Sequence, residues 1–573
     1  MIVRPFSRTW ILACIVLAAC NGAPESTSGL PANRVFINGA VYTVNVAQPW
    51  AEAVAIADGH IAYVGSNEEI QSWIGAETEV TELDGQMLLP GFHDSHTHIL
   101  IGVPTDENCD LLRIDTIPEV ETKLIKCTEL QGFGEDRWIV GGGWSAWLWP
   151  KSEPGKAALD EIFPERPVYL ESSFGHSAWV NSRALELAGV HSETVVGVDG
   201  TVVRDPATGE ATGTLHDSAM LLVKNILPAM TMEYRLKSVR AAIDMAHSLG
   251  VTSVIEPGFD GDLIAPLLII SDADEFELRA VTSLSPINWQ PGAFDDGVFE
   301  FLEQRGAWHR PNIDVDSVKI YMDGVIESGT GALLESYEDE SLGLGPQYYS
   351  QEKVNEYFTR FDAMGLQVHV HAIGDAGVRL ALNGFKAMRD VNGVSGNRHH
   401  ITHLQLIHED DIPRFAELEI GATFQALWAY PDEAAIEMDI PMIGKQRTYE
   451  MYPIASINRA GGRVNGASDY FVTSMNPLLA IEVAITRQDP YTNDGAILNE
   501  DERVDLATMI EAYTINGAYT MKLEDKQGSI EVGKRADLVV LDRNLFEIDP
   551  DEISDTNVTM TIFDGRTVFQ RTE

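Results

Sequence analysis

Pro90-Gly91-Phe92-His93-Asp94-Ser95-His96-Thr97-His98, preceded by the apolar run Gln86-Met87-Leu88-Leu89, is the stretch on which the fold turns. On an extended strand, side chains alternate between faces. His96 and His98, two residues apart, therefore project from one face and can converge on a single metal ion. A His-x-His alone is weak evidence, and a polar turn with incidental histidines is the plainer reading. Further candidate ligands lie far downstream in ordered positions: Lys319, His371, His403 and Asp469.

Between these positions the chain alternates helix and strand. Glu233 to Leu249 has helical spacing, Gly250 can end it, and Val251 to Ile255 is β-branched and apolar. Gln351 to Met364, Gly365 and Leu366 to His371 repeat the scheme; Glu409 to Leu418 and Gly421 to Phe424 repeat it again, and Asp505 to Met521 reads as a late helix. Helix–Gly–strand units imply a parallel sheet, and a middle of this length fits a (β/α)8 barrel, whose strand C-terminal ends gather functional side chains on one face. Residues 33–88 read instead as short strands, with Asn38-Gly39 and Asp58-Gly59 as hairpin turns; 525–573 mirrors them, with strands at 536–541 and 558–563. The expected fold is thus α/β: a barrel over 89–524 with a composite β-sandwich built from both ends of the chain. Residues 105–230 fit the repeat poorly and read as a large insertion over the barrel mouth. Within it, Trp144, Trp147 and Trp149 follow three glycines, and either line a pocket or pack a core.

Composition narrows the partners. The 573 residues are 45% hydrophobic and 22% charged, as in ordinary globular proteins, but the net charge is −47. A phosphate backbone demands clustered Lys and Arg, so nucleic acid is excluded as a partner. A solvated acidic surface accounts for the charge. The first residues read as an export signal: Arg4 and Arg8, an apolar segment Trp10 to Leu17 too short to span a bilayer, then Leu17-Ala18-Ala19-Cys20, which resembles a bacterial lipobox. That resemblance implies cleavage before Cys20, its lipidation, a polar tether over 21–32, and a membrane-anchored lipoprotein facing the periplasm. Asn21 in place of aspartate points to the outer membrane. In an exported chain Cys109 and Cys127 are permitted a disulfide. Oligomeric state is left open, a homodimer included.

The ordered set resembles the amidohydrolase superfamily and, within it, the branch of YtcJ-like proteins and N-substituted formamide deformylases. It is carried by PGFHDSHTH at 90–98, GHSAWVNSRAL at 175–185, VKIYMDG at 318–324, HAIGDAG at 371–377 and GSIEVGKRADLVVLD at 528–542. The resemblance implies that His96, His98 and Asp469 hold one divalent ion, zinc first among candidates. It assigns His371 and His403 to a second ion, with a carbamylated Lys319 bridging the two. A plain lysine is a cation and a poor ligand; its carbamate is an anion with two oxygens. A water between two such ions ionises near neutral pH, and Asp469 is expected to accept its proton and return it to the leaving amine. Trp144, His176 and Asp323 are the expected substrate contacts.

Each assignment has a plainer alternative. Lys319 could pair with Asp323, and Asp469 could cap a helix. His369 competes with His371, as His399 and His400 do with His403, and His176 could be a buried structural histidine. Three positions depart from the family pattern: Thr402 where an acid is common, Phe174 where a polar residue is frequent, and Thr423 to Trp428, which lacks a histidine after Gln425. They bear on the substrate more than on the metals. The expected activity is hydrolysis of a non-peptide C–N bond in an amide or formamide. A deaminase or cyclic amidase on the same scaffold, or a silent ligand-binding surface lipoprotein, is the alternative.

Overall fold

The computed structural model describes residues 31–101, 108–112, 114, 116–173, 175–196, 200–259, 262–285, 296–432, 438–492 and 495–572. Residues 1–30, and with them Cys20 and the expected export signal, lie outside the described residues, as does Phe174. No helix among the described residues is long and apolar enough to cross a membrane.

Eight strands pair side by side, each parallel to the next: Phe92–Asp94, Val251–Phe259, Arg279–Leu284, Ile313–Tyr321, Gln367–Ala372, His400–His403, Gly421–Phe424 and Arg463–Gly466. The Ser95 N–H donates to the Gly466 carbonyl at 3.0 Å, joining the first strand to the last and nearly closing the barrel. Strands such as Gln367–Ala372 are buried on both faces, one against outer helices and one toward the barrel interior. The helices start where expected. Thr231 caps Met232–Ser248 and Ser350 caps Gln351–Ala363, each side chain accepting an N–H of the first turn. The late helix differs from expectation: it is two, Leu506–Ala512 and Ile515–Thr520. The break sits where the Tyr513 carbonyl accepts the His93 N–H at 2.7 Å, a bond from outside the helix.

Both ends of the chain build the adjoining β layers. In one six-stranded sheet Leu538–Leu541 lies antiparallel to Met87–Pro90, flanked by Val558–Phe563 and Arg566–Gln570 on one side and Ala40–Tyr42 and Trp50–Ala51 on the other. A second sheet pairs His60–Gly65, Ala53–Ala57, Arg34–Ile37 and Glu79–Glu82. Phe36, Val54 and Ile56 from one sheet pack with Leu88, Leu538 and Val540 from the other. Asp58-Gly59 turns a hairpin as expected. Asn38-Gly39 does not: Arg34–Ile37 and Ala40–Tyr42 belong to different sheets, so this turn carries the chain between layers.

The inserted region forms its own six-stranded mixed sheet, Cys109–Asp110, Ile139–Trp144, Val168–Ser172, Ser177–Val180, Ala211–Asp217 and Gly200–Arg204. A disulfide joins Cys109 to Cys127. Trp144, expected at a pocket, is fully buried in this sheet's core against Trp149 and Trp179, its indole N–H donating to the Leu170 carbonyl at 2.9 Å. The glycines before it serve strand packing. A Cβ on Gly141 would meet the Cys109 carbonyl oxygen at 2.0 Å, so only glycine lets these backbones approach.

Barrel and β layers are joined through Arg279, at the start of the third barrel strand. Its guanidinium reaches both oxygens of buried Asp537 (2.8 and 3.1 Å) and Asp564 (2.6 Å). Arg279→Met leaves Asp537 buried and unpaired, which should cost about 3–5 kcal/mol. Chemical denaturation should show a clearly lowered midpoint; an unchanged midpoint contradicts this reading.

Candidate metal centre

The chain reverses direction sharply at the C-terminal ends of the barrel strands, and the ligand candidates stand at those reversals. His96 and His98 follow the first strand. The Nε2 atoms of both face Asp469 Oδ1, at 3.2 and 3.1 Å. One ligand atom from each of the three residues lies within 4.8 Å of the others. Asp469 is placed by its own backbone: its N–H donates to the His96 carbonyl at 2.8 Å, and its φ is 52°. His403 has φ 78°. Left-handed backbone at two non-glycine residues is strained and persists only where surrounding bonds enforce it, commonly at functional sites.

The remaining candidates surround the same carboxylate. His403 Nδ1 lies 3.8 Å from Asp469 Oδ2 and 3.1 Å from Gln425 Oε1. The His371 and His403 rings are 4.5 Å apart, and His96 and His403 4.9 Å. His371 Nε2 donates to the Gly324 carbonyl at 3.0 Å. A carbonyl only accepts, so that nitrogen carries the proton and Nδ1 is the nitrogen this ring could offer a metal. In His403 the amide oxygen of Gln425 engages Nδ1, which leaves Nε2 as the nitrogen that could be offered. Lys319 is buried, its ammonium 5.0 Å from the Tyr321 ring.

Burial dominates the electrostatics. It lowers Lys319 to about 7, against the opposing pull of Asp469. His96 falls to about 3 through burial and then Lys319; His371 and His403 also lie well below the ordinary imidazole range, burial first. Burial pushes Asp469 upward, but the charge and hydrogen bonds of the histidines outweigh it and hold the carboxyl well below its usual range. Neutral imidazoles around an ionised carboxylate are what a divalent cation requires, so this donor set fits a metal ion.

Several supporting residues were not apparent in the sequence. Asp94 is buried and accepts from the backbone N–H groups of His96 (3.2 Å) and Ser468 (3.0 Å) and from the Ser468 hydroxyl, tying the loops after the first and last strands. Burial raises it to about 7. Glu256 reaches His98 Nδ1 at 3.8 Å and accepts the Leu100 N–H at 2.9 Å. His369, weighed against His371 as a ligand, stands behind His96: its Nε2 is 2.8 Å from His96 Nδ1, and its own Nδ1 is 3.0 Å from Ser283 Oγ. His400 stacks on His369 at 4.0 Å, and His399 bonds Asp362 at 3.0 Å, both away from Asp469.

Of the expected substrate contacts, His176 reaches the site, its ring 5.8 Å from that of His371. Asp323 is placed otherwise. Fully buried, it accepts from the N–H groups of Ala332 (2.9 Å), Ile373 (3.0 Å) and Gly374 (2.8 Å). It therefore fixes the turn behind His371 and does not line the substrate side. Its distance to His371 Nε2 is 3.9 Å.

A family model described as the amidohydrolase family matches residues 79–569. The chain belongs to the amidohydrolase family. Over 555 residues (95% of this chain, 92% of the relative) it is 30% identical to Protein LONG AFTER FAR-RED 3 of Arabidopsis thaliana. It is 25% identical to the N-substituted formamide deformylase of Arthrobacter pascens over 94% of this chain and 98% of that enzyme. Among solved structures, an uncharacterized metal-dependent hydrolase from Pyrococcus horikoshii OT3 superposes with a TM-score of 0.69 at 21% identity, covering 90% of this chain and 99% of that one. The amidohydrolase fold expected from the sequence is present.

Asp94→Ala should free the loops bearing His96 and Asp469 and weaken zinc binding about 10–100-fold, the range for lost outer partners of metal ligands. Competition with a chromogenic chelator measures it. Wild-type affinity in the variant rules out the bracing role.

Proposed function

We propose that this amidohydrolase is a metal-dependent hydrolase of a non-peptide C–N bond, acting on an amide or formamide. The observation that carries the reading is the convergence of His96, His98 and Asp469 on one point, with Lys319, His371 and His403 gathered around the same carboxylate. The likeness to the N-substituted formamide deformylase supports the substrate class.

The ligand set would divide between two ions, His96, His98 and Asp469 holding one and His371 and His403 the other, with Lys319 as a carbamate serving both. To form it, the neutral amine attacks the carbon of carbon dioxide: a C–N bond forms as one C=O π bond opens onto oxygen, the nitrogen gives one proton to solvent, and an anion with two ligand oxygens results. Burial favours this by making the neutral amine available near pH 7. Divalent ions held there would ionise a water and polarise the acyl oxygen. Asp469 accepts the proton of the attacking water and passes it to the departing amine nitrogen. Its low pKa keeps it ionised, so it carries no proton before the attack. Asp94, Glu256 and His369 keep the first-strand histidines aimed.

Residues 1–20 and the Cys109–Cys127 disulfide together support export and lipid anchoring at Cys20, facing the periplasm. An acyl-biotin or mass-spectrometric search for lipid on Cys20 tests this part.

The metal-loaded protein, given a panel of N-substituted formamides and amides, should release formate or carboxylate and an amine. Ammonia from amino-heterocycles would reassign it as a deaminase, and no turnover with metal bound would leave a binding protein. Asp469→Asn should fold, keep metal and lose about 10²–10⁴-fold in kcat, the usual share of a general base; activity like the wild type overturns the role given to Asp469. Lys319→Ala should lose the paired ions, with partial recovery of metal and activity on adding small carboxylic acids. Unchanged metal content in that variant counts against the carbamate.

A further inference from the structure

A second group of acids stands at the barrel mouth, apart from the candidate metal centre. Glu327 lies in the turn Ile326–Ser328, beyond the strand Ile313–Tyr321 that carries Lys319. Gln405 follows closely on the strand His400–His403. Both belong to loops at the C-terminal ends of barrel strands, where functional side chains gather. Asp439 joins them from the start of the helix Ile440–Thr448, and Gln405 Nε2 donates to its Oδ2 at 3.1 Å. The same amide is within hydrogen-bonding reach of Glu327, so it braces two carboxyl groups. Met438, next to Asp439, packs with Trp144 and Trp179 in the core of the inserted sheet. The group thus lies where the insertion meets the barrel.

These acids are short of positive charge. Asp439 is 3% exposed, and its Oδ1 is buried with no hydrogen-bond partner among the described residues, a costly state for a carboxylate. Its side chain makes no capping bond to the helix it begins. Among ionisable groups Glu327 acts on it most strongly, and Asp432 adds further negative charge. No lysine or arginine among the described residues pairs with Glu327 or Asp439. Arg487, which acts on Tyr452, spends its guanidinium on the carbonyls of Met451, Tyr452 and Leu498 at 3.0, 3.2 and 2.8 Å. Tyr452 borders the acids: burial, then the charges of Asp439 and Glu327, hold its phenol well above the usual range. An aromatic ring beside carboxylates suits an organic cation.

We propose that Glu327 and Asp439, braced by Gln405, form a subsite for an alkylammonium group that the substrate carries at a distance from its scissile C–N bond. An ammonium offers three N–H donors and no acceptor, which matches two carboxylates with an unfilled oxygen. A calcium ion takes about six to eight oxygen ligands, and this set supplies too few. Half-buried Glu327 presents the open side, and Asp439 closes the subsite from behind. The preferred substrate is then an amide or formamide of a diamine, with its acyl end at the metal centre and its free ammonium at the acids.

This inference rests on the hydrolase reading above, and binding is measured apart from turnover so that the two fail separately. Calorimetry titrates straight-chain diaminoalkanes of graded length into the metal-loaded wild type, Glu327→Gln and Asp439→Asn at fixed ionic strength. The wild type should bind one diamine per chain saturably. Both variants are isosteric but less charged, and should bind it about tenfold or more weakly, as loss of a charged hydrogen bond implies. No saturable binding in the wild type, or equal affinity in the variants, overturns the proposal and leaves two acids that share a proton. Calcium that displaces the diamine at lower concentration overturns it in favour of an inorganic cation. Kinetics then compares each mono-N-formyl diaminoalkane with the N-alkylformamide in which a methyl replaces the ammonium. At the best length kcat/KM should favour the cationic member by about tenfold or more, and the preference should fall toward one in both variants. Turnover of both members with equal kcat/KM at every length overturns the proposal. If none is turned over while diamine binding depends on both acids, the hydrolase reading fails and the subsite stands.

Discussion

A single backbone hydrogen bond, Asp469 N–H to the His96 carbonyl at 2.8 Å, is the contact on which the site depends. Residues at opposite ends of the barrel sequence meet there. The bond continues the closure begun by Ser95 and Gly466 and forces Asp469 into left-handed backbone. That conformation aims its carboxylate back at the two imidazoles it must join. Asp94 reinforces the junction from below by gripping both loops. Barrel closure and ligand assembly are therefore one event: any slip in the pairing of first and last strands would separate His96 and His98 from Asp469.

Burial then sets the charge of what closure has assembled. Four histidines and a lysine crowd a volume sealed from water, and together they would be untenable as cations. Burial and mutual repulsion drive them toward neutrality, and Asp469 remains as the ionised member. The cluster is ready to accept positive charge, and each ring nitrogen's partner settles which nitrogen is offered. Gly324 on Nε2 of His371, Gln425 on Nδ1 of His403 and His369 on Nδ1 of His96 make that choice. These partners come from three different barrel strands or the loops after them, so aiming the ligands is a property of the whole barrel.

Much of this was legible in the chain. His96-Thr97-His98 follows a strand by local pattern, and helix–Gly–strand repeats recur at barrel spacing, so the barrel could be read without coordinates, and the structure brings the candidates His96, His98 and Asp469 together. What failed did so for reasons local sequence does not carry. Trp144 after three glycines resembles a pocket wall, but Gly141 exists to let the Cys109 backbone approach, and the tryptophan packs the core beneath. Asp323 is the acid of the VKIYMDG motif and looks like a site acid; its oxygens are occupied by N–H groups far along the chain. Asn38-Gly39 is a hairpin signal that instead switches sheets. Asp94 and Glu256 went unread because each acts through a partner brought near only by folding. His176 was legible as a candidate, and Asp217, whose Oδ1 lies 2.8 Å from its Nδ1, was not.

The central claim is that this cluster is a paired metal centre. Elemental analysis of the purified protein, grown with zinc supplied, tests it most directly. The account predicts about two divalent ions per chain, as a bridged site requires, with both reduced in Lys319→Ala. A single ion per chain, unaffected by that substitution, would contradict the bridged pair, and a chain that holds no ion after zinc is supplied would contradict the metal centre itself.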